Sequence, residues 1–203
     1  MAKLHFKYAA MNSGKTIDLI RTAYNYEENG FKVLIIKPKL DKKGEDKIVS
    51  RIGLERKVDY LVEENDSIIE LLKGKLKEIN CILCDEAQFF TSSQVEELAL
   101  ITKAVNIPVL CYGLKTSFTT NSFDGSKRLF ELADELEPLY TLCSCKEIAR
   151  FNARKVNGEF TNTGDEVVID GINKEVEYVP LCGKCYMEKV LKLDLNKYKR
   201  KLK

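Results

Sequence analysis

Eight residues constrain this chain more than any others: Ala9-Ala10-Met11-Asn12-Ser13-Gly14-Lys15-Thr16, set directly after the first expected strand and opening the first expected helix. A strand that turns through glycine into a helix aims successive backbone N–H groups, and the positive end of the helix dipole, at one point, which makes a seat for phosphate. In this P-loop arrangement the lysine neutralises the β and γ oxygens of a triphosphate and the hydroxyl residue ligates Mg²⁺. Lys15 and Thr16 hold those places. Ala9 stands where the pattern has glycine, and its methyl is compatible only with a negative φ. A Gly-Lys-Thr triplet by itself also occurs in ordinary solvated loops, so a second element has to support the reading.

Cys81-Ile82-Leu83-Cys84-Asp85 is that element, a buried-type strand ending in an acid, with Glu86 next. An acidic pair at the carboxyl end of a parallel strand places a carboxylate near a nucleotide-bound metal, at the edge where open α/β sheets take their ligands. Strands are expected at Leu4–Tyr8, Val33–Lys37, Cys81–Asp85 and Pro108–Gly113, alternating with amphipathic stretches. That alternation predicts an α/β fold with a mainly parallel sheet flanked by helices. Ile17, Ile20 and Tyr24 recur at helical spacing, and Gly30 marks where that helix stops. A further helix is expected to open at Ser93, with Glu96 completing a capping box and Val95, Leu98, Ile101 and Val105 on one face.

The pattern changes after Cys143. Gly158, Gly164, Gly171 and Gly183 punctuate the chain, helical periodicity weakens, and Glu159 to Val176 reads as a loop with one apolar island at Val167–Ile169. Cys143-Ser144-Cys145 and Cys182-Gly183-Lys184-Cys185 form two close pairs with 36 residues between them. Four thiolates suit tetrahedral Zn²⁺ in a closed, structural site. Cys81, Cys84 and Cys111 lie on strands and read as core thiols, and His5 as a packed strand residue. The expected organisation is therefore a P-loop domain over 1–140, a metal-binding domain over 141–191, and a basic tail over 192–203, where six Lys or Arg stand against one Asp.

Charge and composition exclude several classes. Lys and Arg number 33 against 31 Asp and Glu, so no global field draws the chain to nucleic acid or an anionic membrane. With 44% hydrophobic residues in 203, the chain is not of a disordered or low-complexity kind. No apolar run approaches the ~20 residues of a membrane span, and the first thirty residues lack a signal-peptide core. A cytoplasmic protein is expected.

The combination of Ala-Met-Asn-Ser-Gly-Lys-Thr, Cys-Asp-Glu-Ala-Gln-Phe-Phe at 84–90, Cys-Tyr-Gly-Leu at 111–114 and the cysteine pairs resembles the zinc-containing thymidine kinase family, in its bacterial branch. The resemblance runs from Leu4 to about Glu188. It implies a RecA-like kinase domain with a small zinc-ribbon-like lasso domain, and transfer of the γ-phosphoryl of ATP to the 5′-hydroxyl of thymidine or deoxyuridine. By the same resemblance ATP would lie on residues 9–16 (Ala9, Ala10, Met11, Asn12, Ser13, Gly14, Lys15 and Thr16) and on Asp85, Glu86, Ala87 and Gln88. Thr16 and Asp85 would hold Mg²⁺, Glu86 would be the catalytic base, and Arg51 would stabilise the transferring charge. Met11, Gln88, Phe118 and Tyr178 would bind the nucleoside beneath a lasso of Val167, Val168, Ile169, Asp170 and Gly171. A homotetramer inhibited by thymidine triphosphate is also implied. The sequence departs from the family at Ala9 and at Lys115-Thr116, where many members carry an acidic residue.

Two other readings remain at this stage. Arg150-Phe151-Asn152-Ala153-Arg154-Lys155 is a basic stretch with an aromatic, as a nucleic-acid-dependent ATPase would use. A zinc-stapled binding module without catalysis is the other.

Overall fold

The computed structural model describes residues 1–41, 44–164 and 176–202. Its internal contacts group the chain into two units. The first comprises Met1–Tyr8, Gly14–Lys115 and Ser122–Leu139; the second comprises Tyr140–Lys203 together with Ala9–Ser13 and Thr116–Asn121.

In the first unit β1 (Leu4–Ala9) leads through the P-loop into α1 (Lys15–Glu28), followed by β2 (Val33–Pro38), the hairpin of β3 (Lys47–Val49) and β4 (Glu55–Lys57), and β5 (Tyr60–Val62). Then come α2 (Ile68–Leu72), β6 (Cys81–Cys84), α3 (Ser92–Ala104), β7 (Val109–Leu114), α4 (Asp124–Leu132) and β8 (Glu135–Pro138). Six strands form one sheet in the order β5-β2-β6-β7-β1-β8. The β2–β5, β2–β6, β6–β7 and β1–β8 pairs are parallel. The four strands expected from sequence are all present, each within one residue of its expected ends. One strand, β7, separates the P-loop strand from the acidic strand β6.

Period-two alternation divides the apolar side chains between the sheet's faces. Leu34, Ile36, Ile82, Cys84, Val109 and Cys111 share one core with Leu72, Val95, Leu98, Ile101 and Leu129 of α2, α3 and α4. Ile35, Cys81, Leu83, Leu110 and Tyr112 face the other way, onto Leu19 and Ala23 of α1. Burial on both faces is why β2, β6 and β7 read as unbroken apolar runs.

Two helix details differ from expectation. On α1 the buried line is Lys15, Leu19 and Ala23, spaced by four; Ile20 packs beside it and Tyr24 is exposed, a step around the helix from the sheet. The capping box of α3 is formed by Thr91 and Gln94 rather than Ser93 and Glu96. Gln94 wins because its amide also donates to the Glu63 and Asp66 carbonyls, a buried position that Glu96 on the outer face does not share. Val105 is the C-cap and is exposed. Gly30 does sit at the end of α1, with φ 77° and its N–H on the Glu27 carbonyl.

The second unit holds β9 (Thr141–Leu142) paired with β10 (Ile148–Ala149), and an antiparallel sheet of β11 (Phe151–Val156), β12 (Glu159–Thr161) and β13 (Val176–Leu181) in the order β12-β11-β13. Helices α5 (Gly183–Lys189) and α6 (Leu195–Lys201) follow, the latter exposed after its half-buried first residue and capped by Asp194. The stretch expected to be loop from Glu159 onward starts with a strand, because Asn157-Gly158, both left-handed, make the two-residue hairpin turn between β11 and β12. Val167, Val168, Ile169, Asp170 and Gly171 lie outside the described residues. No helix among the described residues is long and apolar enough to cross a membrane.

Replacing Thr91 by Ala removes one half of the α3 capping box. It should lower stability by about 1 kcal/mol, seen as a lower urea midpoint with an unchanged slope; an unshifted midpoint would show that the cap does not hold the helix.

Candidate active site

The P-loop begins where β1 ends. Its left-handed residues are Asn12 (φ 63°) and Gly14 (φ 77°), and Ala9 is not among them, so the methyl that departs from the pattern meets no backbone conflict. Gly14 is the N-cap of α1 and supplies no side-chain cap, which leaves the first-turn N–H groups facing outward from the helix end as an anion seat requires. Lys15 is buried and Thr16 half-buried beside it.

At the end of β6, Asp85 is 3% exposed, and its Oδ1 has no hydrogen-bond partner among the described residues. Burial and the neighbouring Glu86 charge push the Asp85 carboxyl up to about 7, while Lys15 pulls against them. A buried carboxylate oxygen without a donor, next to a lysine charge, fits a divalent-cation ligand.

Glu86 adopts a left-handed conformation (φ 47°, ψ 40°), which turns the chain out of the strand into a short 3-10 turn over Ala87–Phe89. Its carboxylate accepts a 2.6 Å hydrogen bond from Gln88 Nε2, and Gln88 Oε1 accepts from the Leu114 N–H at 3.0 Å. Gln88 is buried, so its amide is a rigid link from the end of β7 to the Glu86 carboxylate. Two glycines make room for this turn. A Cβ on Gly113 would lie 3.1 Å from Gln88 N and Oε1, and one on Gly125 would lie 2.6 Å from the Ala87 and Phe90 carbonyl oxygens. Arg51 lies at the exposed turn of the β3–β4 hairpin, and no hydrogen bond or ion pair among the described residues joins it to the other candidates.

Within the second unit the expected nucleoside residues meet strand β11. The Met11 N–H donates to Asn152 Oδ1 at 2.7 Å, and Asn152 Nδ2 donates to the Thr116 carbonyl at 2.8 Å. Phe118 is buried, with the Arg154 guanidinium 3.7 Å from its ring centroid, so it forms a floor and not an open platform. Tyr178, on β13, pairs in register with Arg154 and is half-buried. Asn152, Arg154 and the two glycines were not singled out from sequence for this role. The available signal was two polar residues at 152 and 154, a spacing that puts both on one face of a strand.

That burial also removes the basic stretch at 150–155 as a nucleic-acid surface. Asn152, Ala153 and Arg154 are buried, Lys155 pairs with Glu177 at 3.2 Å, and of the six only Arg150 is exposed. His5 pairs with Glu137 on the sheet edge, at 2.9 Å.

The four cysteines converge. Cys143 and Cys145 lie on the turn between β9 and β10, Cys182 is the N-cap of α5, and Cys185 lies in that helix's first turn. Their sulfurs all lie within 4.8 Å of one another, with Cys145 and Cys182 at 3.5 Å. Four Zn–S bonds of about 2.3 Å need sulfurs roughly 3.8 Å apart, so the set fits a tetrahedral zinc. Burial pushes the Cys143 thiol up, but hydrogen bonds from the Cys145 and Cys182 backbone amides and from the Cys145 and Cys185 side chains together draw it down to about 6, favouring the thiolate that a metal requires.

Comparison with known proteins gives a consistent result. A family model described as thymidine kinase matches residues 2–186. A thymidine kinase of Francisella tularensis subsp. holarctica is 41% identical over 196 residues, covering 94% of this chain and 99% of that protein. Those of Pasteurella multocida and Streptococcus agalactiae serotype Ia are each 38% identical, covering 94% and 92% of this chain and 99% and 97% of their own lengths.

Purified protein should carry about one equivalent of zinc per chain, and Cys182→Ser should lose it, as elemental analysis will read; metal-free wild-type protein of normal stability would contradict the assignment. Gly125→Ala should cost about 1–3 kcal/mol from overpacking against the 87–90 carbonyls, measured by denaturant unfolding.

Proposed function

The chain belongs to the thymidine kinase family, and on that premise we propose that it transfers the γ-phosphoryl group of ATP to the 5′-hydroxyl of thymidine, and of deoxyuridine, yielding the nucleoside 5′-monophosphate and ADP. The observation that carries this reading is the acidic pair at the end of β6, with Asp85 under the influence of Lys15 and Glu86 held by the Gln88 amide.

Phosphoryl transfer demands little covalent participation from the protein and much positioning. Backbone N–H groups of residues 9–16, apart from that of Met11, which donates to Asn152, and the Lys15 ammonium hold the triphosphate and neutralise its charge. Mg²⁺, taken by Thr16 and Asp85, would supply further neutralisation across the phosphate oxygens. Glu86 accepts the proton of the 5′-hydroxyl as its oxygen bonds to the γ-phosphorus; the bond from that phosphorus to the bridging oxygen breaks, and the electron pair leaves with ADP. Arg51 serves the transferring charge, and Ala87 and Gln88 border the nucleotide. Gln88, assigned to the nucleoside by the family resemblance, also orients the base through its side chain.

Met11, Phe118, Tyr178 and the segment 167–171 take the nucleoside. Backbone groups suit thymine's acceptor–donor–acceptor edge, whereas cytosine would leave a buried polar group unpaired. Zinc on Cys143, Cys145, Cys182 and Cys185 is structural in this reading: it staples the ends of the segment between Cys145 and Cys182. We read 1–140 as the kinase domain, 141–191 as the metal-binding domain and 192–203 as a solvated tail. Family membership further supports a cytoplasmic homotetramer inhibited by thymidine triphosphate.

With Mg-ATP and each of the four common deoxynucleosides and deoxyuridine, thymidine and deoxyuridine should be phosphorylated and the other three not. Glu86→Gln should lower kcat by about 10²–10⁴-fold with ATP affinity within twofold of wild type; unchanged turnover would remove Glu86 as the base.

A further inference from the structure

Phe118 is held from two directions by groups that the proposed chemistry does not employ. Its backbone carbonyl accepts a 2.6 Å hydrogen bond from the Tyr186 hydroxyl, and its ring lies under the Arg154 guanidinium at 3.7 Å. Tyr186 is one residue past the last cysteine of the metal cluster and is itself buried, its ring stacked on Phe151 at 5.2 Å between centroids. Arg154 also donates to the Thr163 carbonyl at 2.6 Å, at the start of the loop that leads into residues 165–175. Two residues earlier on the same strand face, Asn152 ties the Met11 N–H to the Thr116 carbonyl.

Burying an arginine, an asparagine and a tyrosine hydroxyl beside an apolar cluster that is small among the described residues is a poor way to gain stability. Each instead fixes a segment that has no regular secondary structure of its own. The Thr116–Asn121 loop carries internal bonds from Ser117 N–H to the Asn121 carbonyl and from Thr120 N–H to the Ser117 carbonyl, and Tyr186, Arg154 and Asn152 tie it to the elements that carry them.

We propose that Tyr186, Arg154 and Asn152 are positioning residues for nucleoside specificity: they lock Phe118 and Met11 into the geometry that accepts a pyrimidine nucleoside. This rests on the kinase reading above. Tyr186 and Arg154 act on Phe118, outside the phosphate seat, so the loss of either raises the thymidine KM and leaves both kcat and the ATP KM in place, whereas Asn152 holds Met11 within residues 9–16 and would touch both substrates. A residue serving only stability would leave the kinetic constants of the folded fraction unchanged, and a catalytic one would lower kcat.

Tyr186→Phe removes the hydroxyl and keeps the ring; Arg154→Lys keeps the charge and loses the planar group that stacks on Phe118 and reaches Thr163. The thymidine KM should rise about 3- to 10-fold in each, as the loss of one hydrogen bond allows, with kcat and the ATP KM within twofold and zinc content unchanged. Hydrogen exchange should quicken in residues 116–121 of Tyr186→Phe and not in β6 or β7. An unchanged thymidine KM together with unchanged exchange in 116–121 overturns the proposal, as does a fall in kcat with KM intact. If wild-type protein phosphorylates no nucleoside, the kinase reading fails, while the exchange measurement still decides whether the brace exists.

Discussion

One buried amide holds the chemistry of the first unit in place. Gln88 accepts from the end of β7 and donates to the carboxylate of Glu86, and without that link Glu86 would stand on a left-handed residue with an unconstrained side chain. Left-handed backbone is costly for a residue with a Cβ and persists only where its surroundings determine it. Here those surroundings are the Leu114 N–H, the close packing of Gln88 over Gly113, and the carbonyls of Ala87, Gln88 and Phe90 packed onto the flat face of Gly125. The sheet order allows it: β7 lies beside β6, so the end of one strand can reach the turn that follows the other.

The second unit works by different means. Among the described residues its apolar cluster holds eight buried side chains, three of them cysteines, too few to set the position of long connecting segments. Polar ties and the four converging sulfurs take over that task. Cys182 is both a candidate ligand and the N-cap of α5, and that short helix carries Tyr186 to the Phe118 carbonyl, so a metal at the cysteines and the loop at 116–121 share one structural element. Zinc binding that contributes about 10–16 kcal/mol in small metal domains can hold such an element against its own entropy.

Strands β2, β6 and β7 were legible in the sequence because they are buried on both faces and stand out as apolar runs, whereas the short, part-buried strands β5 and β8 at the sheet's two ends were not; the phosphate seat was legible because glycine, lysine and threonine recur there at fixed spacing. The α3 cap was misplaced by two residues: Ser93 and Glu96 satisfy the same rule as Thr91 and Gln94, and only the carbonyls of residues 63 and 66, distant in sequence, choose between them. The work of Gln88, Asn152, Arg154 and Tyr186 was hidden for a related reason. A polar residue in a strand or turn acquires its role from the backbone group it meets across the fold, and one-dimensional spacing does not reveal that group. Asn157-Gly158 was a different matter, since its hairpin signal is local and was available.

The account depends on Glu86 meeting the sugar hydroxyl. A crystal structure of the protein with thymidine and a non-hydrolysable ATP analogue measures this directly. The prediction is a Glu86 carboxylate oxygen at hydrogen-bonding distance, about 2.5–3.0 Å, from the 5′-oxygen, with Gln88 still bridging Glu86 to the Leu114 N–H. A 5′-oxygen turned away from Glu86, or served by another side chain, would contradict it.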